Sequence, residues 1–317
     1  MKTRGRQKAT RQIMSRPLKA PLLLLALCVA FGLPPVIASA AEPSSPWRAD
    51  LNQVRQVAGM IPGQRPVRVN VIKFAESRRT KNFAVKGLPA EPSVQARTAY
   101  QIVFPDGTVM VDTGMDLATH RFFGRGVDEP YFPEQAARVA QGLRNAKAII
   151  VTHEHGDHIA GLMRSRAFAE LAPKTLLTRK QLQTLINEPQ LPELKPTAEM
   201  AAQLRVFDYP DYFPFAPGIA LIKAPGHTAG SQMVYVALQS GKELLLAGDV
   251  AWHMDGVRLN TGKDAPWIKE PPELMAAELD WLNGLSVTEK NLSIVISHDE
   301  EQRREYIAKG VLGDGFE

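Results

Sequence analysis

Apolar positions recur along this chain in two rhythms, and the rhythm predicts the elements. Leu51, Val54, Val57 and Ala58 fall three or four apart, which predicts a short helix over residues 47–58 with Gly59 suited to its end. Val67, Val69 and Val71 alternate, which predicts a strand over 67–74. Residues 76–92 are polar, contain Gly87 and Pro89, and read as a loop. Strands are predicted at 98–104 and 108–111 around Pro105, Asp106 and Gly107, a turn sequence that supports a hairpin. A helix follows over 133–143: Pro133 suits its first turn, and Ala136, Val139, Ala140 and Leu143 form one stripe. Further strands are predicted at 146–151 and 174–178, then a short helix at 179–186. Residues 188–214 give no firm element. Tyr209, Tyr212, Phe213 and the adjacent Phe215 could line a pocket there, though packing is the commoner use of such a cluster. In the second half, strands are predicted at 219–222, 233–236, 243–246 and 291–297. A helix over 271–282 places Met275, Leu279 and Leu282 on one side. Strands, helices, strands and helices in that order predict an α/β fold, two sheets packed face to face with helices outside.

Composition changes the picture at the N-terminus. Of 317 residues, the first nineteen carry seven Lys or Arg and no acid, and an apolar run from Pro21 to Ile37 leads into Ala38-Ser39-Ala40. That pattern predicts a secretory signal peptide over 1–40, cut after Ala40, with Met14 as the start of a more ordinary leader. Gly32, Pro34 and Pro35 interrupt the run and argue against a spanning anchor, so no stable membrane insertion is expected after cleavage. The formal charge of +5 becomes +5 − 7 = −2 once the leader is removed, which excludes a basic nucleic-acid face as an expectation. Cys28, the single cysteine, also lies in the leader, and the bulky Leu27 before it does not suit lipid attachment. The mature chain then has no thiol or disulfide, which is compatible with an oxidising periplasm, the expected destination. The 317 − 40 = 277 remaining residues suffice for one large domain, taken as 67–317 with 41–66 as an N-terminal extension. No repeat is present, and nothing in the sequence sets an oligomeric state.

The candidate chemistry gathers in residues 149–162, IIVTHEHGDHIAGL. His153, His155, Asp157 and His158 fall within six positions, and they include three of the chain's seven histidines. The β-branched run before them predicts a buried strand, Gly156 permits a sharp change of direction, and Asp157 and His158 open a short helix. Imidazole and carboxylate suit a borderline divalent cation such as zinc. His153 and His155, two apart on an extended segment, point the same way and can share one ion. Asp157 and His158 diverge at a helix start and can reach a second. Three later strands also run into candidate ligands: His227 in APGHT, Asp249 in LAGDV and His298 in VISHDEEQ. Asp112 in VMVDTG ends another strand, where a buried carboxylate is costly unless bonded. His120 lies in a polar region and is expected to be solvated. Trp252 and His253, shortly after Asp249, are candidates to face the substrate, and the helix over 47–58 could cover part of the site.

HEHGDH resembles the HxHxDH signature of the metallo-β-lactamase superfamily of dinuclear hydrolases, and Asp112, His227, Asp249 and His298 repeat that family's order from about residue 67 onward. The resemblance implies an αβ/βα sandwich of two mixed sheets with outer helices and the site at the sheet ends. It implies two zinc ions, with iron or manganese as alternatives. His153, His155 and His227 would hold the first and Asp157, His158 and His298 the second. Asp249 would bridge them, and Asp112 would orient the metal-binding loop from behind. A hydroxide between the metals would be the nucleophile, and Asp157 would carry a proton. Asp249 separates the chain from zinc β-lactamases, which have cysteine or serine there; it is similar to the lactonase, hydroxyacylglutathione hydrolase and phosphodiesterase branches. SHDEEQ and PPELMAAELDWL resemble the N-acyl-homoserine lactonases. Those commonly place tyrosine three residues after the bridging aspartate, whereas this chain has Trp252, whose donor is an indole N–H. The expectation is an exported hydrolase of a small-molecule lactone or ester. The other readings are a thioesterase, which would call for a C-terminal helical domain; a β-lactamase; a ribonuclease-like enzyme; an iron-dependent sulfur dioxygenase; and a non-hydrolytic metal-binding protein, whose usual loss of ligands is absent.

Overall fold

Seven strands form a mixed sheet in the order β12-β1-β2-β3-β4-β5-β6: β1 (Arg68–Thr80), β2 (Pro92–Phe104), β3 (Gly107–Val111), β4 (Ala148–Ile150), β5 (Thr175–Thr178), β6 (Arg205–Phe207) and, at the edge beside β1, β12 (Gly313–Asp314). Five more form a second sheet in the order β11-β10-β9-β8-β7: β7 (Tyr212–Ala216), β8 (Ile219–Lys223), β9 (Gln232–Ala237), β10 (Glu243–Leu246) and β11 (Leu292–Val295). This computed structural model describes residues 47–317. The expected leader, its cleavage point and Cys28 lie outside them.

The strand alternation read from the sequence decides which face goes where. Val69 and Val71 of β1, Ile102 of β2, Val109 and Val111 of β3 and Ile150 of β4 point inward. They meet Leu221, Val234, Val236, Leu244 and Val295 from the other sheet. The alternate residues Ile72, Phe74, Met110 and Ile149 face outward and are covered by helices Pro133–Asn145 and Gly156–Met163. On the far side, Met233, Tyr235 and Leu245 are covered by helices Leu51–Ala58 and Pro272–Thr288. The layers are therefore helix, sheet, sheet, helix, the sandwich expected.

Three expectations change. Residues 76–80 continue β1 and pair with β2 as far as Thr80 opposite Pro92, so the hairpin is a long ribbon, with the short helix Lys81–Ala84 in the connection between its two strands. Its polar residues had concealed it, because main-chain pairing and not an apolar face holds this stretch. The first helix spans Leu51–Ala58, capped by Asp50, and packs on β7, β8 and β9, away from the site. Phe213 and Phe215 do border a cavity, but one shared with Pro62, Phe104 and Lys147, none of which is a candidate metal ligand. Among the described residues, no helix is long and apolar enough to cross a membrane.

Candidate metal centre

Four strands deliver the candidate ligands to one edge of the sandwich. Behind β4 the chain passes through His153 and His155 and enters the helix Gly156–Met163, which carries Asp157 and His158. Gly161 lets this helix press on the loop after β3: a Cβ there would lie 1.9 Å from the Thr113 carbonyl oxygen. His227 follows β8, Asp249 follows β10, and His298 follows β11. Gly248, at φ +57°, turns the chain so that Asp249 enters the cluster.

The side chains converge. Three groups have ligand atoms within 4.8 Å of one another: His153, His155 and His227; His153, His158 and Asp249; Asp157, His158 and His298. Asp249 stands between the outer two. Its Oδ2 is 3.6 Å from Nε2 of His227 and 3.0 Å from Nε2 of His298, and its Oδ1 is 3.3 Å from Nε2 of His158. Oδ2 of Asp157 lies 3.5 Å from Nε2 of both His158 and His298.

Hydrogen bonds set the tautomers. Nδ1 of His158 donates to Oδ2 of Asp112 at 2.8 Å, Nδ1 of His227 to Oε1 of Glu270 at 2.5 Å, and Nδ1 of His298 to the Ala96 carbonyl at 2.7 Å. Each ring then turns its Nε2 toward the centre. Nε2 of His153, Nε2 of His158 and Oδ1 of Asp249 are buried without a hydrogen-bond partner. Acceptors turned on one another in this way fit a divalent cation. Burial also favours neutral imidazole: it lowers His155 to about 4 and holds His153 and His227 well below the usual histidine range. Burial would do the same to His158, but Asp157, Asp249 and Asp112 together drive it well above that range, which marks a potential that favours a cation.

Asp112 lies against Thr152 and His158. It is fully buried at φ 65°; Oδ1 accepts from the Thr152 amide at 2.7 Å and Oδ2 from the Thr152 hydroxyl at 2.9 Å. Trp252 donates its indole N–H to Oδ2 of Asp249 at 2.8 Å and lines the cavity. His253 does not line it: its Nδ1 accepts from the Asp255 amide and caps the helix Met254–Arg258, which turns the ring toward Asp299 and Glu301. His120 is buried, not solvated; its Nε2 donates to the Glu129 carbonyl, and its ring lies against Tyr131.

Three further residues sit at the centre without having been singled out. Arg97 on β2 donates to Oδ2 of Asp157 at 2.7 Å. Burial opposes ionisation of Asp157, but Arg97 and the neighbouring histidines hold its pKa well below the usual carboxylate range. Lys263 and Glu270, from a segment without helix or strand, pair at 2.6 Å behind His227. A cavity of about 710 Å³ opens over the cluster, floored by His155, Asp157, His227 and Asp249. Phe83, Phe123 and Trp267 give its walls an aromatic lining, and Arg79 and Arg125 add positive charge.

Residues 93–275 match the metallo-beta-lactamase superfamily. The chain belongs to that superfamily. An N-acyl homoserine lactonase of Bacillus thuringiensis is 23% identical over 218 residues, 65% of this chain and 82% of that protein. Among solved structures, an N-acyl homoserine lactone hydrolase with N-hexanoyl-L-homoserine at its catalytic metal centre superposes with a TM-score of 0.61 at 18% identity, covering 76% of this chain and 97% of the other. AidC, a dizinc quorum-quenching lactonase, superposes with a TM-score of 0.55 at 14% identity, covering 75% and 91%. These structures share the fold of this superfamily hydrolase.

Proposed function

We propose that the chain is an exported dinuclear zinc hydrolase that opens a lactone or cleaves a carboxylic ester in a small molecule. One observation carries this reading: seven imidazole and carboxylate side chains bring their ligand atoms together beneath an aromatic-walled cavity. His153, His155 and His227 would hold one ion, Asp157, His158 and His298 the other, with Asp249 between them. Such ions, when bound, supply Lewis-acid polarisation of a carbonyl and an acidified water near neutral pH.

The chain's own residues do the rest. Asp157 reaches the cavity floor as a carboxylate fixed by Arg97, placed to take a proton and pass it to the leaving oxygen. Trp252 fixes the rotation of the Asp249 carboxylate. Phe83, Phe123 and Trp267 offer apolar surface to the non-reacting part of the substrate and keep water from it. The lactonase relatives favour a lactone among the possible esters. In a pH-stat panel of lactones and aryl esters, the zinc-loaded mature protein is expected to consume base with at least one substrate while carrying two zinc per chain. Full zinc loading with no turnover across the panel would refute the ester and lactone reading. Asp249→Ala is expected to lose metal and activity together; a variant keeping both would remove Asp249 from the centre.

A further inference from the structure

We propose that Glu270 and Lys263 are positioning residues that tie one wall of the cavity to His227, so that metal binding and ordering of that wall stabilise each other. The inference rests on the metal reading above. Residues 261–271 form neither helix nor strand, yet the segment supplies Trp267, Ile268, Lys269 and Glu270 in succession to the cavity lining. Its early part is fixed by main-chain bonds: the Lys86 amide donates to the Gly262 carbonyl at 2.8 Å, and the Asp264 amide donates to the Phe83 carbonyl at 3.1 Å. Its later part reaches the metal cluster through Glu270, whose Oε1 accepts from Nδ1 of His227 at 2.5 Å.

Lys263 completes the tie. Its side chain is only 1% exposed, and a buried ammonium requires an anionic partner. That partner is the same Oε1 of Glu270, 2.6 Å away. The ammonium also donates to the Asp249 carbonyl oxygen and lies 5.4 Å from the Trp252 ring centroid. One carboxylate thus joins two donors, one from the candidate ligand His227 and one anchored on the backbone of the candidate bridging residue. A cation on Nε2 of His227 makes its Nδ1–H a stronger donor to Glu270. By linkage, whatever the metal contributes to the order of this wall, the ordered wall returns as metal affinity.

The test uses the full mature protein, with zinc affinity read by competition against a chromophoric chelator. Glu270→Ala is expected to weaken the tightest zinc equivalent by about tenfold to a hundredfold. Glu270→Gln keeps a carbonyl acceptor for Nδ1 and is expected to fall between Ala and wild type, a rescue that simple loss of packing would not give. Lys263→Met breaks the link from Glu270 to the Asp249 backbone and is expected to lessen the zinc-dependent protection of residues 261–271, and it carries the test if Glu270→Ala does not fold. Hydrogen exchange supplies the second readout: zinc should slow exchange across residues 261–271 in wild type and do so less in the variants. Equal zinc affinity in Glu270→Ala and wild type, or exchange in 261–271 indifferent to zinc in wild type, overturns the inference and leaves the metal reading standing. Failure of wild type to bind zinc removes both.

Discussion

At the scale of single residues, the centre depends on what stands behind each imidazole. Asp112 is the clearest case, because its one carboxylate serves the Thr152 amide, the Thr152 hydroxyl and Nδ1 of His158. Asp112→Asn keeps the shape, but its amide nitrogen cannot accept, so one buried donor loses its partner. Urea unfolding of the zinc-free protein is expected to show a loss of about 2 kcal/mol, and zinc titration a weaker site at His158. Trp252→Phe keeps most of the ring and removes one donor to Asp249. About a tenfold fall in kcat/KM is expected, with stability changed by about 1 kcal/mol or less; unaltered kinetics would show that the indole N–H does not matter. The candidate ligands were legible because HEHGDH concentrates them and strand ends announce the others. Glu270, Lys263 and Arg97 were not. Each is an ordinary charge in an ordinary polar stretch, and only the fold brings Glu270 to His227 across 43 positions and Arg97 to Asp157 across 60. His253 and His120 misled for the same reason, since proximity in sequence does not decide which way a ring faces.

At the scale of elements, the strands of the second half are the more legible in the sequence. Strands expected at 219–222 and 243–246 are β8, Ile219–Lys223, and β10, Glu243–Leu246. They are almost wholly buried in a sheet covered on both faces, so a short apolar run bounded by glycine or charge is enough to mark them. Residues 188–214 resisted because their helix, Ala198–Gln203, is brief and has no buried residue, and β6 is three residues long. The helix Gly156–Met163 sits close against the loop after β3, and its Gly161 amide donates to the Gly114 carbonyl at 2.8 Å. Gly161→Ala would drive a methyl group into backbone that has nowhere to move. A destabilisation of about 3 kcal/mol is expected in chemical unfolding, with weaker zinc binding because the same helix carries Asp157 and His158. A variant as stable as wild type would mean that the helix can shift without cost.

At the scale of the whole molecule, neither the order of strands within the sheets nor the pairing of β12 beside β1 could be read from periodicity, since both depend on which faces close over one another. Nor could the sequence reveal a carboxyl group buried between layers. Glu278, on the helix Pro272–Thr288, is fully buried beneath the loop that carries His227; its Oε1 accepts from the Gly226 amide at 2.8 Å, and its Oε2 has no partner. Burial pushes its pKa up to about 8, against 4.5 for the free side chain. The folded protein therefore holds a proton that the unfolded chain has released, and it does so throughout the window between those values. Its stability should fall as pH rises through that window and level off above about 8. Glu278→Gln keeps the acceptor for Gly226 and cannot ionise, so it should not share this decline. Urea unfolding of zinc-free protein at pH 5 and pH 9 separates the two, because the titrating histidines are common to both chains and cancel in the difference. The variant should gain on wild type by on the order of a few kcal/mol between those pH values. Parallel stabilities at both pH values would mean that Glu278 finds water or a partner when it ionises, and that the contact between helix and metal loop is looser than the packing described.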